Sequence, residues 1–369
     1  MSFYFMLSRF LRILLLIELL IIVQIELKEV TSMTVQKFIK YCLNTPKNLN
    51  PAILEQLMRD LMENGEVFTK VNGKIYPNVS EAIKEAPAGG VIDVYDDIIE
   101  ETNTQITKDL TINLNGCKIS AKDNFPFRIL NEATLTINAD KNSLIEGNIV
   151  VGSGNGSNGH LIINGGNYIV TAAGECAIQT NGNCNNSSII VKNAKIVSAT
   201  EIALYLPAGG KYIFENCEIE GITGIYAKAG EIELINCKIR GNGTFADPVP
   251  NGNGAVSTGD AVILDSKSGY NGKMNLTVKN SELISNNGYA VHEVITDLGL
   301  SATIGLFLES GKFEGKRGAF NVSDEFATGV EENKIECVIS GGTYNSKIDE
   351  LYLAEGKECK SSGIKFIVI

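Results

Sequence analysis

Apolar residues recur along the chain at two different periods, and the change from one to the other divides it. Between residues 33 and 64 the period is helical. Val35, Phe38, Ile39 and Cys42 stand at i, i+3, i+4 and i+7 before Thr45-Pro46 breaks the run. Asn50-Pro51 then supplies an N-cap and a first-turn proline. Ile53, Leu54, Leu57, Met58, Leu61 and Met62 form a second stripe, which Asn64-Gly65 ends. Two helices this short bury little alone, so 33–64 is expected to be a docking module that packs on a partner. Asn78 and Glu81 read as a capping box opening a third helix, with Val79, Ala82, Ile83 and Ala86 on one face and Pro87 as the stop. Over 65–109 this helix and the following strand, GGVIDVYDD, are expected to cover the open end of whatever comes next.

From residue 110 the period shortens to that of strands, and one pattern returns: apolar, any, Asn/Gly/Ser, small, any, apolar. It reads LNGCKI (114–119), IINGGNY (162–168), VKNAKI (191–196), FENCEI (214–219), LINCKI (234–239), VKNSEL (278–283), LESGKF (308–313) and ISGGTY (339–344). Between most copies lies a second alternation, as in ECAIQT, EIALYL, GITGIYA, GDAVIL, GYAVHEV and RGAFNV. Repetition on this length scale without intervening helices is the mark of a solenoid and argues against a doubly wound α/β sheet. Stacking copies about 4.8 Å apart makes every position a column. Ile163, Val191, Phe214, Leu234, Val278, Leu308 and Ile339 then fill the interior, while Asn193, Asn216, Asn236 and Asn280 form a structural turn ladder of side-chain amides. The predicted fold is an all-β solenoid, a right-handed parallel β-helix over 110–345, with the short helical module before it and a cap at 346–369.

Composition narrows the function. The 37 Gly and 8 Pro suit many short strands joined by tight turns. A net charge of −11 with scattered Lys and Arg gives no support to nucleic-acid binding. The 8 Cys show no CxxC pair and no Cys/His metal spacing, and only two histidines occur, so no metal and no cofactor is expected. Cys117, Cys217 and Cys237 share one position of the repeat, where a free thiol packs as a small apolar residue. On successive rungs Cys217 and Cys237 would also stand within disulfide reach. A reducing compartment of assembly is the simpler expectation.

Residues 1–32 are anomalous. Arg9 and Arg12 precede an apolar run, and no small-residue cleavage site follows it. Leu7 to Leu27 is about the ~20 residues of a membrane span. Glu18, however, falls at its centre, at a cost of about 2.5–3.5 kcal/mol. Lys28-Glu29-Val30 is encodable as AAG GAG GTN, a bacterial ribosome-binding sequence, and Thr31 and Ser32 space it from Met33. The expectation is that Met33 is the first residue and 1–32 translated upstream DNA. An uncleaved signal or membrane anchor is the alternative, and would imply a membrane-anchored surface adhesin.

LTINLNGCKIS resembles the first rung of pectin-lyase-like right-handed β-helices. Residues 221–356, from GITGIYAKAG to LAEG, are similar to β-helical proteins of gut Firmicutes and their phages, and 33–58 resembles helical modules on phage structural proteins. The resemblance implies a virion structural or attachment protein, docked to other virion proteins through 33–64, meeting a host surface polysaccharide and assembling as a homotrimer. Enzymes of the fold class are lyases and hydrolases of acidic polysaccharides, which use calcium-binding acidic clusters beside an Arg or Lys, or several Asp on neighbouring rungs. The NTD, GDD and GHG motifs are missing here, and within the rungs Arg occurs only at 128, 240 and 317. No catalytic residue is therefore assigned. The best ligand-binding candidates are Arg240, Asp247, Asp260, Asp265 and Tyr270, in and around a long insertion after Arg240 that is expected to project from the scaffold. His292, in a period-two strand, is expected outward and solvated, and His160, after a Gly/Asn/Ser turn, at the surface.

Overall fold

The computed structural model describes residues 69–71, 74–101, 103–121, 126–249, 255–266, 270, 272–295 and 302–369. The expectations for 1–32 and 33–64 lie outside the described residues. Among those described, the chain forms a right-handed parallel β-helix whose strands make three sheets of 12, 12 and 9 strands. Each turn of the chain contributes a strand to the first, second and third sheet in succession, and the next turn stacks on it in register.

The register turns the repeat into columns. Ile92, Ile112, Ile137, Ile163, Val191, Phe214, Leu234, Val278, Leu308 and Ile339 are paired one to the next along the first sheet. All are fully buried, each adding roughly 1.5–3 kcal/mol relative to exposure. Polar positions form columns on the outside. In the second sheet Lys195, Glu218, Lys238, Glu282 and Lys312 succeed one another, so charge alternates from rung to rung. A one-rung slip would bring like charges together.

Amides form the third kind of column. At the turn from first to second sheet, Asn193, Asn216, Asn236 and Asn280 all adopt φ near +50°, a conformation Asn accepts better than other side chains. The Nδ2 of Asn216 donates to Asn193 Oδ1 (3.1 Å), that of Asn236 to Asn216 (3.2 Å) and that of Asn280 to Asn236 (2.7 Å). A second ladder precedes it at the last strand position: Asn164 donates to Asn138, Asn138 to Asn113, and Asn113 to Asp93. From Cys117 onward the inward residue that follows this turn position is small. Ser143 fills that column between Cys117 and Gly166, a copy the repeat pattern had skipped. Cys217 and Cys237 stack in it as free, buried thiols. The Cys237 thiol beside it, together with burial, pushes the Cys217 thiol up, as befits a packing residue.

Parallel pairing begins at Gly90, one rung before the repeat is legible, because Gly90–Val94, Ile98–Glu100 and Thr104–Ile106 already pair with the rung above. Below them sits helix α1 (Val79–Glu85), capped by Asn78, whose Oδ1 accepts from Glu81 N at 2.8 Å. Its Val79, Ala82 and Ile83 are buried against the first rung. The hairpin of Thr69–Val71 and Lys74–Tyr76 adds antiparallel strands to the first sheet's edge. At the other end lies a helix the repeat does not foreshadow, α2 (Asp324–Glu331), with Ser323 as N-cap and Phe326 fully buried. A 3-10 turn (Glu350–Tyr352) and two antiparallel strands, Cys359–Ser362 and Lys365–Val368, close the second sheet. No helix among the described residues is long and apolar enough to cross a membrane.

The amide ladder predicts its own test. Asn216→Asp keeps a residue tolerant of positive φ but removes the donor to Asn193 and sets two oxygens face to face. Urea denaturation at pH 7 should show a loss of about 1 kcal/mol, shrinking below the carboxylate range as the new acid regains a proton. An unchanged midpoint would mean the ladder contributes nothing.

Candidate functional site beneath the insertion

Strands of the third sheet place alternate side chains outside, and one outer column runs Tyr205, Tyr226, Ile263, His292, Asn321. On a bare rod these would be solvated. Instead Tyr226 and Ile263 are buried in a second apolar cluster with Cys176 and Ile202, against which Tyr205, Ala255 and Val294 pack. The cover comes from the described parts of the insertion after Gly241: Ala255 packs on this cluster and Phe245 on His292. The insertion therefore does not project along its whole length as expected: its final part lies back over the sheet and is tied there by polar contacts. Thr223 Oγ1 accepts from Thr258 N (2.7 Å) and Gly259 N (3.1 Å), Ser285 donates to Gly259 O (2.7 Å), and Ser257 donates to Glu201 (2.6 Å).

The candidate residues separate into four places. Asp260 is fully buried. Its Oδ1 accepts from Tyr289 N (2.7 Å), and its Oδ2 accepts from the Thr258 hydroxyl (2.7 Å) and lies 2.9 Å from His292 Nδ1. His292 corrects the sequence expectation. It is on the outer side of its strand but only 4% exposed, because the insertion covers it. Phe245 packs on both Tyr289 and His292, with centroids at 5.9 and 6.3 Å, and the Arg317 guanidinium lies 4.1 Å from the Phe245 ring centre. Asp265 and Tyr270 belong to a separate group. Asp265 accepts from the Tyr226 hydroxyl (2.7 Å) and stands 3.5 Å from Lys228 Nζ. Lys228 and Asp265 are each 1% exposed, and the Lys228 ammonium lies 5.1 Å from the Tyr270 ring centre. Burial and the Asp265 charge push the Tyr226 hydroxyl up, so it stays a donor.

Arg240 and Asp247 join neither group. Arg240 is half-buried on the second sheet, in register between Glu220 and Ile284, and Asp247 is exposed on the outer part of the insertion. His160 lies half-buried between Ser188 Oγ (2.8 Å) and Glu132 Oε2 (3.2 Å). The residues missed by sequence reasoning are Tyr226, Lys228 and Thr258. A lysine and a tyrosine at outward positions of GITGIYAKAG look like ordinary surface residues until the cover is known.

Glu293, like Glu100, is a further buried acid. It points inward, fully buried, and its Oε2 accepts from Ser323 N (3.0 Å) and from the Ser323 hydroxyl (2.8 Å), at the start of α2. Its Oε1 has no hydrogen-bond partner among the described residues. Burial pushes this carboxyl up to about 7. Each of Asp260 and Asp265 thus serves contacts inside the protein, and the chemistry available is that of clamps. No group of three or more His, Cys, Asp or Glu among the described residues is placed to hold a metal ion.

What the fold defines is a class, the right-handed parallel β-helices. Comparison with known proteins adds no family to it: no family model, no curated protein and no solved structure matches the chain.

Two stability measurements check the clamps. Lys228→Met leaves Asp265 buried without its cation and should cost about 3–5 kcal/mol, whereas Lys228→Met/Asp265→Leu should recover most of it. Equal losses in both variants would mean that the pair acts only through packing. For Glu293 the folded acid is raised from 4.5 to about 7, so the native state holds its proton more tightly than the unfolded chain. The stability this confers is complete below pH 4.5 and is lost as pH rises through 7, a change of about 3 kcal/mol. Glu293→Gln should abolish that slope and raise the melting temperature at pH 8 but not at pH 4. A variant with the parental slope would contradict it.

Proposed function

We propose that this chain is a phage virion structural or attachment protein, in which the β-helix is a stiff, non-catalytic rod that carries surface features to a host surface. The observation that carries the reading is the clamped insertion. Where a polysaccharide-cleaving enzyme of this fold needs acidic groups open to substrate, the two aspartates here are buried, Asp260 against Thr258 of the cover and Asp265 against Tyr226 of the third sheet. Continuous columns of apolar, amide and charged side chains suit a rod that keeps its shape outside the cell. In this reading residues 33–64 dock the rod to other virion proteins, three copies assemble, and the place of action is the virion.

The test is peptide mass spectrometry of gradient-purified particles induced from the host. Peptides of this chain should co-sediment with the known coat proteins at constant ratio. Recovery only in the cell envelope would overturn the reading, as would calcium-dependent cleavage of an acidic polysaccharide by the purified protein.

A further inference from the structure

Cys217 and Cys237 hold the same place on successive rungs, and the pairing around them fixes how far apart they stand. Phe214 with Leu234 and Glu215 with Ile235 are in register before them, and Glu218 with Lys238 after them. Lys238 N donates to Cys217 O at 2.8 Å, which ties the rungs together at the cysteines themselves. In-register neighbours lie about 4.8 Å apart, inside the ~4.4–6.8 Å between Cα atoms that a disulfide spans. The upper side chain leans the right way. Cys237 Sγ lies 3.2 Å from Phe214 O, on the rung of Cys217. Both cysteines are 1% exposed, yet Asn216, Glu218, Asn236 and Lys238 beside them are exposed, so the thiols lie just beneath the surface of the turn. Cys117 shares the column but has Ser143 on the next rung, where Leu144 N donates to Cys117 O at 3.2 Å.

We propose that Cys217 and Cys237 are an oxidisable pair, which a peroxide converts into a disulfide joining two rungs. Cys237 is the nucleophile. The Cys217 thiol beside it, as a hydrogen-bond donor, holds Cys237 below the ordinary thiol range, while Cys217 itself is pushed up and keeps its proton. The Cys237 sulfur attacks one peroxide oxygen, the O–O bond breaks, and a sulfenic acid forms with release of water. The Cys217 sulfur then displaces the hydroxyl from Cys237, which leaves as water with the Cys217 proton. Two thiols and one hydrogen peroxide thus give one disulfide and two waters, the sulfurs oxidised and the peroxide oxygens reduced. A molecule this small needs only a slight opening of the turn to reach them. The bond joins rungs 214–219 and 234–239 immediately before the insertion, and it stands apart from the attachment reading.

The test treats reduced full chain with hydrogen peroxide in native buffer, unfolds it in iodoacetamide, and reads its digest by mass spectrometry. A cross-linked peptide pairing Cys217 with Cys237 is expected, two hydrogens lighter than its parts, with Cys117 recovered alkylated. Cys217→Ser places in the column a residue it already holds at Ser143 and Ser281, so this variant should fold. It cannot close the bond, and its Cys237 should accumulate as a sulfenic acid, trapped by dimedone several-fold above the parent. Recovery of Cys217 and Cys237 as alkylated thiols would overturn the pair. Linkage of either to another cysteine, or linkage that forms only in urea, would do the same. A Cys217→Ser protein with no more dimedone adduct than the parent would also count against it.

Discussion

In-register parallel hydrogen bonding between rungs is the constraint on which the rest of this molecule depends. At about 4.8 Å per rung, a residue's most intimate neighbours are its counterparts one turn before and one turn after, 20 to 44 positions away for the turn asparagines. Side chains are thus selected to stack on something like themselves or on their complement. Isoleucine lies on isoleucine inside, amide on amide at the turn, and lysine against glutamate on the outer face. The hydrophobic columns supply most of the driving force. Polar columns add less energy but penalise a shifted register, since a slip breaks amide ladders and charge alternation at once.

A stack has ends, and each end exposes apolar cross-section and unpaired backbone. Both are closed by a helix, and each helix is held by a buried glutamate from the rungs. Glu100 accepts from Val79 N at 2.7 Å at the start of α1, and Glu293 accepts from Ser323 at the start of α2. Helix N-termini present free N–H groups and positive partial charge, so a carboxylate is a natural partner. Burial works against it, pushing both acids above their ordinary range. The caps are therefore joined to the rod by contacts whose strength depends on proton occupancy, unlike the apolar columns between them.

The same opposition between burial and charge shapes the covered face of the third sheet. Asp260 and His292 lie beneath the insertion, Asp265 and Lys228 are buried beside Tyr226 and Tyr270, and each is kept by a partner of matching chemistry. Such groups seldom contribute net stability over well-packed apolar ones. Asp260, through the Thr258 hydroxyl and His292, fixes where the cover lies.

The sequence by itself determined the solenoid, the interior column from Ile163 to Ile339, the turn asparagines and the capping helix after Asn78. These follow from local period and local backbone preference: an apolar residue every second position, and Asn where φ is positive. The first rung at Gly90 escaped notice because its turn lacks the Asn-small pair, and α2 because one short helix carries no repeat. Only the tertiary structure decided which outward residues are solvated. Whether Tyr226, Lys228 or His292 meets water depends on where a distant, glycine-rich insertion comes to rest, and no periodicity within a strand encodes that. Arg240, Asp247, Asp260, Asp265 and Tyr270 are close in the chain, yet the rung geometry distributes them over two sheets and a loop. Proximity in a β-helix is set by position within the turn rather than by distance along it.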